Sequence, residues 1–527
     1  MMLPRILLRL TFAQLIAASA IDKTFLAQRD SNNVQKIKCD GEHYTYESLA
    51  GYGFVASDAR DRYGDTLGGF GSSIALDRKS WQKSKNGTYT GTLWALPDRG
   101  WNTQGTLNYQ NRIQKFSLSF SPAVSASISN PSQPNLKLAY VDTILLTGPG
   151  GVPTTGLDAD VTGSFAAANG FPILPKATYT GDGFGGPGAG GQRLSIDSEG
   201  LVLSTNSNGE TSFWVSDEYG PYIYKFNSQG KLIQAIKPPD AFIPNRNGSV
   251  SFSAASPPIY NPDEVIEPED PDTGRANNQG LEGLSASADG KTLYALLQSA
   301  LDQDGGPDDP GRKQSRLLMY DISSGSANNK AEYVVTLPTY VSPKNQKIKV
   351  AAQSEIHSLG NDEFLVLARD SGSGRGQDAT ESQYRHADIF SIKGADNIKS
   401  KKYDKTDGDI ANKDGDLKDG IKGAKYCSFL DFNVNSELGK FGLHNGGAQD
   451  AGLLNEKWES LALVPVNPET GGQDGEWFLL SVSDNDFITQ NGYMNGGKYP
   501  YKDESGFDVD SQALVFRVKL PKDAAPS

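Results

Sequence analysis

Four glutamates recur in the same local setting along this chain. Glu199 opens "EGL" and leads through a polar turn to "SFWVSDEYG", and Glu282 opens "EGL" and leads through "SADGK" to "TLYALLQS". Glu355 opens "EIH" ahead of "LGND" and "EFLVLARDS", while Glu459 opens "ESL" ahead of a longer loop and "EWFLLSVSDND". The downstream strands end on Asp217, Gln298, Asp370 and Asp484. A fifth copy, "GGFGSSIALD" leading to "TLWALPDRG", lacks the first acid but ends on Asp98 and Arg99. Carboxylates gathered in one water-poor place cannot all stay ionised without compensation. A divalent cation is the simplest compensation. An all-oxygen donor set points to Ca2+, with Mg2+ as the alternative, rather than to zinc.

Glu199, Asp217, Glu282, Glu355, Asp370, Glu459 and Asp484 are therefore candidate ligands, with Glu282 and Glu355 also candidates for catalysis. Arg99 and Arg369 sit at strand ends, where they could hold a phosphate or pair with a neighbouring Asp. His357 lies two residues after Glu355, on the same face of a strand; it fits a general acid or base, or a buried structural histidine. Any single Glu also reads as a cap that accepts amide hydrogen bonds in its own repeat. Four in register, with a polar residue at the partner position, favour a shared site. No Gly-x-Ser-x-Gly elbow, Walker loop or His-Glu-x-x-His is present, which weighs against a serine hydrolase, an NTPase and a zincin.

The elements that would bring these acids together are short strands. The chain holds 22 Tyr, 22 Phe, 58 Gly and 28 Pro in 527 residues and few helical patterns, which favours an all-β protein. Third strands follow several copies: "YIYKFN", "RLLMYDI" and "DIFSI". Strand, turn, strand, strand is the pattern of a β-propeller blade, and equivalent residues of inner strands then form a ring around the axis. The expectation is six blades, with five or seven as alternatives, carrying loop insertions. "ALVFRVKL" near the C-terminus is matched with "YTYESLAGYGFVA" near the N-terminus as the pair that closes the ring. Gly181-x-Gly183-x-x-Gly186 is read as a glycine-rich loop, because the "RLSID" that follows is a strand and not a helix. The segment 395–424 mixes acids and lysines without apolar periodicity and reads as a charged, solvated loop insertion.

Residues 1–20 carry Arg5 and Arg9 around an apolar stretch that ends in Ala18-Ser19-Ala20, as a secretory signal peptide does. The remaining divisions are an N-terminal extension (21–43), the propeller (44–520) and a C-terminal tail (521–527). Loss of the two arginines moves the net charge from −13 to −15. Such a chain suits neither nucleic acid nor an anionic membrane, and no later segment has the apolar length of a membrane span. A monomer is expected. The two cysteines, Cys39 and Cys427, could pair or remain buried thiols. Asn86-Gly87-Thr88 and Asn247-Gly248-Ser249 are glycosylation sequons.

The stretches "DSEGL…FWVSDEYGPYIYKF", "NNQGLEGLSASADGKTLYALLQSAL", "EFLVLARDSGSG" and "WESLAL…LLSVSDNDF" resemble the secreted phytase-like proteins that carry the domain called esterase-like activity of phytase. The resemblance runs from about residue 44 to 520. It implies a secreted hydrolase of phosphoric esters that acts through Glu199, Asp217, Glu218, Glu282, Glu355, Asp370, Glu459, Asp484 and Asp486. The "EIH" at 355–357 keeps only the acid of the family motif, and Ser460 replaces its glycine. Two other functions fit the same ring: a calcium-dependent lactonase or carboxylesterase similar to gluconolactonases and paraoxonases, and a non-catalytic ligand-binding propeller.

Overall fold

The computed structural model describes residues 33–205 and 209–526, so the segment expected as a signal peptide lies outside the described residues. Antiparallel sheets form the blades of a ring. Blade 1 comprises Ser73–Lys83, Tyr89–Leu96, Arg112–Phe120 and Leu136–Leu145. Blade 2 comprises Ser198–Thr205, Thr211–Asp217, Ile223–Phe226 and Leu232–Ile236. Blade 3 comprises Leu281–Ala286, Thr292–Leu297, Gln314–Asp321 and Asn328–Thr336. Blade 4 comprises Ala352–Gly360, Glu363–Arg369, Arg385–Ser391 and Lys425–Asp431. Blade 5 is made from both ends of the chain: Ala462–Pro465, Glu476–Asp484 and Ser511–Lys519, then Glu42–Val55 and Gln35–Cys39.

The ring thus has five blades, the lower alternative to the expected six. The reason is the closing pair. Ser511–Lys519 runs antiparallel to Glu42–Val55, as its sequence suggested, but its other neighbour is Glu476–Asp484. The two terminal strands complete the Glu459 repeat instead of forming a blade of their own. Gln35–Cys39, inside the segment expected as an extension, is the outer edge of that blade.

Apolar packing follows the ring. A buried cluster fills each interface between neighbouring blades. Aromatic pairs cross these interfaces: Trp94 against Phe213 at 5.1 Å, Tyr294 against Phe364 at 4.9 Å and Phe120 against Phe478 at 5.1 Å. Such edge-to-face contacts add about 0.5–1.5 kcal/mol each to plain area burial. Near the axis the inner strands approach so closely that the glycine of "EGL" is needed for space. A Cβ on Gly200 would stand 2.5 Å from Leu284 Cβ and 2.7 Å from the Glu282 carbonyl oxygen.

The glycine-rich stretch leads into Gly191–Leu194, which pairs with Lys176–Tyr179, so it is a hairpin connection. The 395–424 insertion is not solvated throughout. Ile398, Ile410 and Ala411 are buried against Val334, because apolar residues scattered without period still cluster on the outer face of blade 3. There Arg316, paired with Asp304 and Glu332, donates to the carbonyls of Tyr403 and Gly408. Both sequon asparagines lie on exposed hairpin turns.

Cys39 and Cys427 form a disulfide, with Cα atoms 6.0 Å apart and a sequence separation of 388. It ties the outer edge of blade 5 to the outer strand of blade 4. A link across so long a loop removes much unfolded-chain entropy, and losing one costs about 2–5 kcal/mol. The Cys39→Ser/Cys427→Ser pair is expected to keep the fold, since the strand pairing that closes the ring is untouched, while its unfolding free energy from urea titration falls by about that amount and the midpoint falls with it. An unchanged midpoint would mean the disulfide adds nothing to the closure.

Candidate active site at one mouth of the channel

Inner strands begin, and second strands end, at the same rim of the ring. At that rim the strand pairs are irregular: the register shifts between Val215 and Asp217 in blade 2 and between Leu281 and Gly283 in blade 3. A bulge breaks the alternation of side chains and can aim an acid toward the axis. Glu282 lies within the bulge of blade 3, and Glu199 lies in the corresponding stretch of blade 2.

Asp197, Glu199 and Glu218 converge there, each with an oxygen within 4.8 Å of the others, and they are 1%, 6% and 1% exposed. Asp98, Asp484 and Asp486 form a second group of the same dimension. Glu282 is coupled electrostatically to Glu199 and Glu218, and it accepts a hydrogen bond from Gln298. Three cations border the acids. Arg99 meets Asp197 at 3.1 Å, Arg369 bonds to Glu459, and Lys457 lies 3.0 Å from Asp484 and 2.8 Å from Asp486.

Burial dominates the electrostatics. It drives the Glu199 and Glu282 carboxyls well above the usual range, helped by their charged neighbours. Glu218 is pushed up to about 8 by burial and by Asp197. Asp98 is raised by burial and by Asp484. For Lys457 burial works the other way, yet Asp484, Asp486 and Glu459 outweigh it and hold the ammonium charged.

The structure separates the expected residues into groups. Glu199, Glu282, Glu459, Asp484, Arg99 and Arg369 reach the mouth. Asp217 does not offer a free oxygen: it accepts the amides of Asp197, Tyr219 and Gly220 at 2.9–3.0 Å and the Tyr224 hydroxyl at 3.2 Å. Asp370 accepts from Ser382 Oγ and the Gln383 amide, both at 2.6 Å. These two aspartates fold the loops that leave their strands.

Glu355 is displaced by one residue. In blade 4 the register shift falls between Gln353 and Glu355, so Ser354 takes the place that Glu282 holds in blade 3. A one-residue slip turns a strand side chain to the other face. The Glu355 carboxylate accordingly accepts from Ser73 Oγ at 2.6 Å, the Leu284 amide at 3.1 Å and the Ile356 amide at 2.8 Å, linking blades 1, 3 and 4 inside the channel. His357 lines a cavity of about 180 Å³ deeper in the channel, beside Leu203, Ala286 and Leu463. Its counterpart in blade 3 is Ser285, three residues beyond Glu282, or roughly 10 Å along the strand.

Sequence reasoning missed Asp197 and Lys457. Both carried a signal: each stands two residues before a motif glutamate, Glu199 and Glu459, at the spacing that returns a strand side chain to the same face.

A five-bladed propeller with a buried ring of carboxylates and fixed cations at one mouth defines the class of this protein. A model of the family described as "Phytase-like: Esterase-like activity of phytase" matches residues 66–487, and the chain belongs to that family. It is 60% identical over 467 residues to an "Uncharacterized secreted protein" of Arthroderma benhamiae, covering 87% of this chain and 90% of that one. Among solved structures, Pseudomonas fluorescens PhoX in complex with vanadate aligns at 9% identity, with 92% and 97% of the two chains covered and a TM-score of 0.32. An N-acetylgalactosamine deacetylase from F. plautii aligns at 9% identity, with 90% and 95% covered and a TM-score of 0.31. Likenesses this slight carry no chemistry across. Family membership and the carboxylate clusters together support a hydrolase acting on esters, with room for a divalent cation.

Proposed function

We propose that the protein is a secreted, metal-dependent hydrolase of phosphoric esters that works at the carboxylate mouth. One observation carries the reading. Asp197 Oδ1, Glu218 Oε1 and Glu282 Oε2 are buried and have no hydrogen-bond partner among the described residues. A buried acid oxygen without a donor is costly, and a cation is the partner that would satisfy several at once. The donors are all oxygens, which suits Ca2+ or Mg2+.

Asp197, Glu199 and Glu218 would hold the ion. Bound there, it would polarise an ester oxygen and lower the pKa of an attacking water. Arg99 and Arg369 are locked by Asp197 and Glu459 on the rim, where an anionic group would meet them already in place. Burial, with Glu218 and Glu459 beside it, pushes the Glu282 carboxyl well above the usual range, which suits a group that gives its proton to a leaving alkoxide. Asp217, Asp370 and Glu355 hold the loops and inner strands that set this geometry. Secretion is supported by the relative's description as a secreted protein and by the apolar N-terminal stretch that Arg5 and Arg9 precede and punctuate.

The test is release of p-nitrophenol from mono- and bis-p-nitrophenyl phosphate by dialysed, chelated and Ca2+-reconstituted protein. Chelation should remove at least about 99% of the activity and Ca2+ should restore it, as expected when the ion supplies the Lewis acid. Activity that survives chelation would sink the metal mechanism. Cleavage of lactones or p-nitrophenyl acetate with no phosphoester turnover would transfer the site to carboxylic esters.

A further inference from the structure

The two acid groups at the mouth have the same size but different states of satisfaction. In the first, Asp197 Oδ1 and Glu218 Oε1 have no hydrogen-bond partner among the described residues, nor does Glu282 Oε2 beside them. In the second, both oxygens of Asp98 are taken, by the Gly100 amide at 3.2 Å and Asn102 Nδ2 at 3.0 Å. Asp484 accepts the Asp486 amide at 2.7 Å through Oδ1 and Lys457 Nζ at 3.0 Å through Oδ2. Asp486 accepts the same ammonium at 2.8 Å, and Glu459 Oε2 lies 3.7 Å from it. No oxygen of Asp98, Asp484 or Asp486 is among the buried atoms left without a partner.

We infer that Lys457 is a resident cation which fills the second acid group, so that the mouth takes one exchangeable divalent ion and not two. An ammonium is a compact point charge with three donors, and it can bridge acids that would otherwise attract a metal. Four carboxylates face this one: Asp484, Asp486 and Glu459 directly, and Asp98 through the shared cluster. The position is built in, because Lys457 pairs with Asp484 across the strands of blade 5. It also gives the mouth a fixed positive charge beside the ion-binding group. The inference rests on the proposed metal site for the count of one, but the role of the lysine does not depend on it.

The experiment counts bound ions by calorimetric titration of the full-length secreted protein with CaCl2 and by elemental analysis after dialysis. Wild type should bind one Ca2+ per chain. Lys457→Met removes the ammonium while keeping most of the side chain's length, and it should bind one ion more than wild type. Lys457→Arg should match wild type. Adding Asp486→Asn to Lys457→Met should lower the count by one again.

A wild type that binds two ions would overturn the inference, as would a folded Lys457→Met with an unchanged count. A wild type that binds none, with a variant that binds one, would fail the proposed metal site yet uphold the lysine's role. Should Lys457→Met be too unstable to titrate, its melting temperature supplies the answer. Millimolar Ca2+ should raise it by more than it raises wild type. An equal or smaller rise would mark Lys457 as merely structural.

Discussion

Replacing Glu218 by glutamine is expected to cut ester hydrolysis by about 100-fold or more while making the ion-free protein more stable. The two effects have opposite signs for one reason. Glu218 is buried beside Asp197, and its carboxyl is pushed up to about 8 from an ordinary 4.5. In ion-free protein at pH 7 folding must therefore load a proton onto this group. The cost is about 1.4 kcal/mol for each pH unit above 4.5, or up to roughly 3 kcal/mol. Glutamine has nearly the same shape and carries no charge, so it escapes that cost. It is also a weaker ligand, so the ion is lost and the rate falls with it. Calorimetry in EDTA and p-nitrophenyl phosphate turnover in Ca2+ check the pair of outcomes. A variant that loses stability as well as activity would place Glu218 in the scaffold instead of the ion site.

The repeat was legible because blade-forming strands carry their own pattern. The acids fall at strand ends, and inner strands of a propeller converge. That logic located Glu199, Glu282, Glu459 and Asp484 at one mouth. It failed where a local backbone irregularity decides which way a side chain points. "EIH" looks like "EGL" on the page, yet a bulge placed one residue earlier gives the axial position to Ser354 and sends Glu355 between blades. Asp217 and Glu218 are neighbours of the same chemical type, and only the loop after them decides which acid caps amides and which keeps a buried oxygen without a hydrogen bond among the described residues. The count of five lies within the range read from the sequence, and the preference for six within that range turned on a similar point. The terminal strands are recognisable as strands, but nothing in their residues says that they complete the Glu459 repeat. The disulfide was an open choice in sequence because its cysteines are separated by 388 residues and meet only once the ring is closed.

The same buried acids predict an unusual dependence of stability on pH. Asp217 is raised to about 7 by burial, which outweighs its amide hydrogen bonds, and Glu218 to about 8. Glu199 and Glu282 are also raised, well above the usual carboxylate range, by burial and by their charged neighbours. A carboxyl whose folded pKa lies above its unfolded one binds its proton more tightly in the folded state. Below about 4 both states are protonated and it contributes nothing; as pH rises toward 8 the folded state loses ground, and beyond the folded pKa the cost levels off. Ion-free protein should therefore be most stable near pH 5 and should melt progressively earlier at pH 6, 7 and 8. On the acid side of that optimum the limit comes from carboxyls lowered in the folded state, such as Asp321 at about 2. Calcium reverses the alkaline slope, because it binds the deprotonated acids and competes with their protons. The rise in melting temperature on adding Ca2+ should accordingly grow from pH 5 to pH 8. A melting temperature in EDTA that is flat or climbs across that range would mean the mouth carboxyls do not hold protons in the folded protein. The ion would then have nothing to displace, and the match between orphaned oxygens and a divalent cation would lose its force.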